Sequence, residues 1–118
     1  MGRLSTHVLD TARGKPAQGV AIQLARIDAA GVRTPVASAL TNADGRTDAP
    51  LLTGAALDVG TYELTFAIGD YFRASGLVPA GPSFLEVVPL RFQITDPDGH
   101  YHVPLVCSPF SYSTYRGS

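Results

Sequence analysis

Residues 100–118 read HYHVPLVCSPFSYSTYRGS, and the first half of this stretch contains the pattern that decides the fold. Side chains along a strand point alternately to its two faces. Here they form two sets, which are Val103, Leu105 and Cys107, and His102, Pro104 and Val106. Both sets are largely apolar, whereas a sheet face in contact with water is polar. We therefore expect a second sheet to cover one face and a partner subunit to cover the other, with His102 on the partner's side.

The composition indicates one mainly β domain. A chain of 118 residues can bury a core of its own and is short enough for a single domain, which we place over residues 1–118. Hydrophobic residues make up 45% and charged residues 16%, and 12 Gly and 9 Pro interrupt the chain frequently, as is typical of many short strands. The net charge of −1 provides no basic surface, so neither nucleic acid nor a membrane is an expected partner.

The cysteine count and the hydropathy pattern suggest a cytoplasmic protein. Cys107 is the single cysteine, so an internal disulfide and a thiolate zinc site are excluded. Its apolar neighbours favour a buried, inert thiol over a nucleophile. No leader-like apolar region precedes the first predicted strand, and no apolar run approaches the roughly 18 residues of a membrane-spanning helix.

Alternating apolar residues and the turn signals between them predict about eight short strands. The predicted strands cover residues 4–11, 20–25, 33–41, 48–53, 61–68, 88–95, 101–107 and 111–115. One helix of one to two turns is predicted over residues 70–76, with Asp70 as a possible N-cap and Gly76 as its end. Pro50 indicates an edge strand, and Pro89 indicates an edge or a bulge. The sum is an all-β sandwich of two sheets.

Two polar residues have more than one interpretation at this point. His7 lies inside the first predicted strand, where a histidine held by an ordinary hydrogen bond is the more common case. Arg46 follows the turn formed by residues 42–45. It is either a solvated charge at the rim of the sheet or a planar cation that leans over a cavity and binds two acceptors of a flat ligand.

A pair of histidines, His100 and His102, alternates with Tyr101 at the start of the last hairpin. Such a pair can bind zinc only with a third ligand, which would have to come from His7 or a carboxylate. We therefore expect no metal site, and we expect the His100 side chain to be solvated.

Three separated stretches resemble one protein family. They are LSTHVLDTARGKPAQGVAIQL at residues 4–24, NADGR at residues 42–46, and YHVPLVCSPFSYSTYRGS at residues 101–118. Together they are similar to the transthyretin-related 5-hydroxyisourate hydrolases, including the terminal Tyr-Arg-Gly-Ser. The departures from the family pattern are Cys107 and Ser111, which stand where an aliphatic residue and a glycine are expected.

The resemblance implies a fold, an assembly and a reaction. The fold is the transthyretin-like two-sheet sandwich, and the assembly is a homotetramer of two dimers that face each other across a channel. The reaction is the hydrolysis of 5-hydroxyisourate to 2-oxo-4-hydroxy-4-carboxy-5-ureidoimidazoline in urate breakdown, without a metal or a cofactor.

The resemblance also implies the site residues. It assigns catalysis to His7, Arg46 and His102, and substrate binding to His7, Arg46, Tyr115, Arg116 and the Ser118 carboxylate. Opening an amide ring requires a nucleophilic water, stabilisation of charge on the carbonyl oxygen and a proton for the leaving nitrogen. Histidines can do the proton work near neutral pH, and an arginine can bind the oxygens, but the order of the two histidines stays open.

Two other functions remain as alternatives. A protein of the same fold could instead be a carrier that binds a hydrophobic small ligand in the tetramer channel. The histidines and the arginine argue against a carrier, because an apolar channel would leave them unpaired. An immunoglobulin-like structural domain would be a monomer with one wet sheet face, which the apolar closing hairpin contradicts.

Overall fold

A computed structural model describes residues 1–117 of the chain. Its strands are β1 Arg3–Asp10, β2 Lys15–Pro16, β3 Ala21–Ile27, β4 Arg33–Leu40, β5 Leu52–Thr53, β6 Gly60–Phe66, β7 Val88–Ile94, β8 His100–Cys107 and β9 Tyr112–Thr114. The helix α1 is Ile68–Ala74, and Gly54–Ala56 forms a short 3₁₀ turn. Within these residues, no helix has both the length and the apolar character that a membrane crossing needs.

The strands form two sheets, as predicted. The first sheet has the order β2-β1-β8-β9, with β5 also paired to β1, and the second has the order β4-β3-β6-β7. Strands β1 and β8 run parallel and pair without a break from Arg3 opposite His100 to Asp10 opposite Cys107. The other pairs of strands are antiparallel. The prediction of an all-β, two-sheet sandwich is confirmed.

The core lies between the sheets because alternate residues of each central strand are apolar and point inward. The first sheet contributes Leu4, Val8 and Leu105, and the second contributes Leu24 and Leu64, all of them fully buried. Each such leucine stabilises the fold by about 1.5–3 kcal/mol through burial alone. Because the inward positions are used for the core, the alternate residues of β1 and β8 necessarily face outward.

The helix differs from its prediction at its first residues. It begins at Ile68, not at Asp70, and the N-cap position is occupied by Ala67 without a side-chain hydrogen bond. The N-cap prediction for Asp70 was therefore wrong, because Ile68 belongs to the buried face of the helix and not to the end of β6. Gly76, with φ of 80°, follows the last turn as predicted, since glycine adopts this conformation without steric cost.

A short strand also occurs where only a turn was predicted. Lys15 and Pro16 form β2, which pairs with Leu9 and Asp10 at the end of β1. Two residues are too few for a pattern of alternation, so the period of the sequence could not have revealed this strand.

Asp10 is a buried carboxylate that connects the first sheet to the helix. Its Oδ1 accepts a hydrogen bond from the Arg13 backbone N at 3.0 Å, and its Oδ2 accepts from Arg13 Nε at 3.0 Å and from the Tyr71 hydroxyl at 2.7 Å. Burial by itself raises the pKa of Asp10, but the hydrogen bonds from Tyr71 and Arg13 outweigh it, so the pKa lies below its ordinary value. The charged form of Asp10 therefore stabilises the fold above that value.

We expect Asp10→Asn to lower the free energy of unfolding by about 1–3 kcal/mol, because hydrogen bonds to a buried charged group are lost and an amide donor faces other donors. Urea denaturation at neutral pH measures the change. Asp70→Asn is the matched control, since Asp70 also binds the arginine three residues later, Arg73, but its side chain is 79% exposed. Equal losses of stability in the two variants would contradict the role given to burial.

Candidate active site

The parallel pairing of β1 and β8 creates a polar region on the outer face of the first sheet. Residues paired across a sheet point to the same side, so Ser5 lies beside His102, and His7 beside Pro104. The residues between them point inward, and the buried Thr6 hydroxyl donates a hydrogen bond to the Val103 carbonyl at 2.7 Å. The two strands are thus fixed against each other directly beneath this region.

A tight turn brings Arg46 to the same face. The Asn42 side-chain oxygen accepts hydrogen bonds from the backbone N of Asp44 at 2.9 Å and of Arg46 at 3.2 Å, which holds the turn closed. Gly45 has φ of 74°, and a Cβ there would lie 2.4 Å from the carbonyl oxygen of Val8. Glycine is required here because its backbone packs directly on β1. The turn consequently leaves Arg46 in a β-bridge with His7.

The His7 side chain is half-buried on this face and fixed by the same turn. Its Nε2 lies 2.7 Å from the carbonyl oxygen of Asp44. This contact sets the direction of the ring, while the β-bridge brings the backbone of Arg46 alongside. His7 and Arg46, which are far apart in sequence, are therefore neighbours in the fold.

A small cavity of about 240 Å³ opens on this part of the face. It is lined by Arg3, Ser5, Arg46, His100, Tyr101 and His102. Two of these residues are arginines and none is a carboxylate, so the lining favours ligands that carry carbonyl or anionic oxygens. The volume suits one small heterocycle.

His102 is half-buried and surrounded by positive charge. Burial lowers its pKa, and Coulombic repulsion, chiefly from the guanidinium of Arg46, lowers it further. Its imidazole is therefore neutral at neutral pH, which a general base requires. Its Nδ1 lies 2.9 Å from the Ser5 hydroxyl oxygen.

The other histidine of the pair, His100, contacts the start of the chain. Its side chain is exposed, as predicted, and its Nε2 lies 3.2 Å from the carbonyl oxygen of Met1. Although His100 borders the same cavity, it is tied to the start of the chain and not to His102 or Arg46.

The C-terminal tail lies against His102. The backbone N of Gly117 donates a hydrogen bond to the His102 carbonyl at 2.8 Å. A Cβ on Gly117 would lie 2.6 Å from Cδ2 of the imidazole, so the absence of a side chain is what lets the tail approach the ring. This contact gives a physical reason for the glycine in the terminal Tyr-Arg-Gly-Ser.

Arg116 lies on the opposite side of β8 from His102. Its guanidinium carbon is 4.2 Å from the centre of the Tyr101 ring, and its Nη2 donates to the His100 carbonyl at 3.3 Å. It lines a separate cleft of about 460 Å³ near β7 and β9, together with Tyr115. This cation–π contact holds the tail against Tyr101, on the side of β8 opposite His102.

The structure therefore brings together three of the predicted site residues, His7, Arg46 and His102. His7 does not itself line the cavity that His102 borders and joins the group through its β-bridge with Arg46. Tyr115 and Arg116, which belong to the tail, do not line this cavity, and Ser118 lies outside the described residues. Arg3 and Ser5, which were not predicted, also line the cavity. Both alternate with His7 on β1, so they share its face, and this spacing was the available signal.

Cys107 takes no part in the site. It is buried, with its thiol directed at the Leu9 carbonyl oxygen at 3.6 Å. Burial, with a smaller effect of the nearby Asp10 charge, raises the pKa of the thiol to about 12. The interpretation of Cys107 as an inert core residue is confirmed, because its thiolate is absent at neutral pH.

Known proteins match this chain along nearly its whole length. The model of the HIUase/Transthyretin family matches residues 4–117. A protein of Deinococcus radiodurans named 5-hydroxyisourate hydrolase is 62% identical over 115 residues, which are 98% of this chain and 95% of that protein.

Two solved structures have the same fold. The structure of Klebsiella pneumoniae 5-hydroxyisourate hydrolase has a TM-score of 0.81 and 36% identity, and the match covers all of both chains. Sea bream transthyretin in complex with thyroxine has a TM-score of 0.85 and 32% identity, and the match covers 98% of this chain and 94% of that one. The sequence and the fold therefore agree that this chain belongs to the HIUase/Transthyretin family.

Proposed function

We propose that this chain, acting as one domain over residues 1–118, hydrolyses 5-hydroxyisourate. The observation that carries the proposal is the convergence of His7, Arg46 and a neutral His102 on one part of the outer face. Relatives that bear the name 5-hydroxyisourate hydrolase support it, with identities of 62%, 57% and 58% over nearly the full length.

His102 is the general base in this proposal. Its Nε2 takes a proton from a water molecule as the water oxygen forms a bond to the carbonyl carbon of a ring amide. Burial and the surrounding cations keep its pKa low, so the base is available at neutral pH without prior loss of a proton. The same imidazolium can later return the proton as the C–N bond of the ring breaks.

Arg46 and His7 complete the chemistry. The guanidinium of Arg46 has two parallel donors that can hold the carbonyl oxygens of the substrate and the negative oxygen that develops during attack. His7 lies next to Arg46 through the β-bridge and is the second group that can carry a proton to the leaving nitrogen. Neither role needs a metal or a cofactor.

The tail residues contribute to substrate binding in this proposal. The hydrogen bond from the Gly117 backbone fixes the tail on His102, and Tyr115 and Arg116 directly precede this anchor in the sequence. Tyr115 is exposed and lines the separate cleft with Arg116, so its contact with the substrate stays a prediction, while Arg116 holds the tail through Tyr101. The carboxylate of Ser118 follows the anchor directly and is the remaining proposed contact.

The assembly in this proposal is a homotetramer. Leu9 and Val106 are paired neighbours on the outer face beside the site, where both are half-buried, and Pro104 next to them is already buried within the chain. Water would contact the exposed parts of this apolar strip in a single chain, and a second copy is the cover that we propose for it. A channel between two such faces would exclude bulk water from the histidines. A cytoplasmic location stays a prediction.

The proposed role of His102 predicts that His102→Asn loses at least about 100-fold in rate while it folds and assembles normally, the size expected for removal of a general base. The ultraviolet decay of freshly generated 5-hydroxyisourate measures the rate. His100→Asn is the matched control on the same strand and face, and we expect it to keep most of the activity.

No acceleration by the well-folded wild-type protein would contradict the hydrolase. The carrier alternative would then be tested by thyroxine binding, since that is the ligand of the sea bream structure.

The low pKa of His102 predicts the pH dependence. Protonation removes the base, so kcat/KM falls as the pH decreases, and the midpoint of this fall lies below the ordinary histidine value of about 6.5. In Arg3→Gln, one of the cations that lower this pKa is removed, so we expect the midpoint to move upward. A rate that increases on acidification would contradict this role, because the active form of His102 would then be the protonated one.

The apolar strip predicts the oligomeric state. We expect light scattering to give the mass of four chains for the wild type and a smaller assembly for Val106→Asp, because the new carboxylate would be buried unpaired in the contact. Gln23→Asp adds the same charge to an exposed position of β3 in the second sheet and should leave the mass unchanged. A monomeric wild type would overturn the proposed assembly.

A further inference from the structure

We propose that Ser5 is a positioning residue for His102, which fixes the orientation and the tautomer of the imidazole that takes the proton. This inference rests on the proposed hydrolase and concerns a residue to which the family resemblance assigned no role. The Ser5 hydroxyl oxygen lies 2.9 Å from Nδ1 of His102, between residues 97 positions apart in the chain. Backbone pairing of β1 and β8 sets the two residues directly opposite each other.

Both flanks of the imidazole are occupied. The Ser5 hydroxyl contacts the Nδ1 edge, and Gly117 lies against the Cδ2 edge, where a Cβ would come within 2.6 Å. Nδ1 and Cδ2 are the two ring atoms next to Cγ, so contacts on both restrict rotation of the ring. Nε2, at the far end of the ring, makes no hydrogen bond within residues 1–117 and is the nitrogen left for a water or a substrate.

A hydroxyl suits this position because it can both donate and accept. When His102 is a base, Nε2 must carry a lone pair, so the hydrogen of the neutral ring is on Nδ1 and is donated to Ser5. When Nε2 gains the proton from water, the Nδ1–H bond to Ser5 is unchanged. The serine therefore holds the ring in one direction before and after the proton transfer.

The neutrality of the serine also matters. A carboxylate in the same place would orient the ring, but it would also stabilise the imidazolium and raise the pKa of His102. Ser5 orients the ring without adding a negative charge. The neighbouring charged groups are instead Arg3 on β1 and Arg46 after the turn, both of which disfavour the imidazolium.

The alternative is that Ser5 only satisfies the hydrogen bonding of a half-buried histidine. The two roles differ in what they predict. A purely structural contact affects stability and leaves the turnover of the folded enzyme unchanged, whereas a positioning contact lowers kcat and leaves KM largely unchanged. A direct contact between Ser5 and the substrate would change KM instead.

The decisive experiment compares wild type, Ser5→Ala and Ser5→Thr at saturating and limiting 5-hydroxyisourate. We expect Ser5→Ala to lose about tenfold or more in kcat, in line with the loss of an orienting partner of a functional histidine. Ser5→Thr keeps the hydroxyl on a β-branched residue that suits a strand, so it should retain most of kcat. Wild-type kcat in Ser5→Ala, or an equal defect in Ser5→Thr, would overturn the proposal.

A second measurement is independent of activity. Histidine ¹⁵N NMR of the substrate-free protein at about pH 8, above the ordinary histidine pKa, should show the His102 hydrogen on Nδ1 in the wild type and a mixture of tautomers in Ser5→Ala. A hydrogen on Nε2 in the wild type would exclude the proposed role of Ser5 even if the protein is a hydrolase. The Nδ1 tautomer in an inactive protein would overturn the proposed function and leave the Ser5 contact intact.

Discussion

The unbroken parallel register between β1 and β8 is the constraint on which the rest of the structure depends. It pairs Ser5 with His102 and places His7 one step further along the same face. A shift by one residue would turn these side chains into the core and bring Leu4 and Leu105 to the surface. The burial of the core therefore enforces the geometry of the outer face. The stability of the sandwich and the arrangement of the candidate site have the same physical origin.

Much of the fold could be predicted because its information is local. Alternation of apolar residues in β3, β6 and β7 and the glycine turns between strands gave the element types and the two-sheet architecture. The start of the helix could not be predicted from alternation, because Ile68 continues the apolar period of β6 although it already belongs to α1. The two-residue strand β2 has no period at all. Both depend on contacts with other strands.

The candidate site was predictable only in part. The residue types of His7, Arg46 and His102 and the family resemblance named them as a group, but their proximity depends on pairings between distant segments. The β-bridge of His7 with Arg46 requires the Gly45 backbone to pack on β1. Ser5 was overlooked for the same reason, since a serine in a strand has no distinguishing pattern until its neighbour across the sheet is known. The place of Arg116 could not be predicted either, because its contact with Tyr101 lies on the other side of β8.

The contact between Ser5 and His102 also has a consequence for synthesis of the protein. Its two residues are 97 positions apart, so β1 emerges from the ribosome long before its central neighbour exists. Until β8 appears, β1 has only the short strands β2 and β5 as partners within its sheet, and its unpaired edge is open to association with other chains. Because loop closure over this distance is slow, we expect the pairing of β1 with β8 to form late in folding. The candidate site would then be among the last parts of the chain to be assembled.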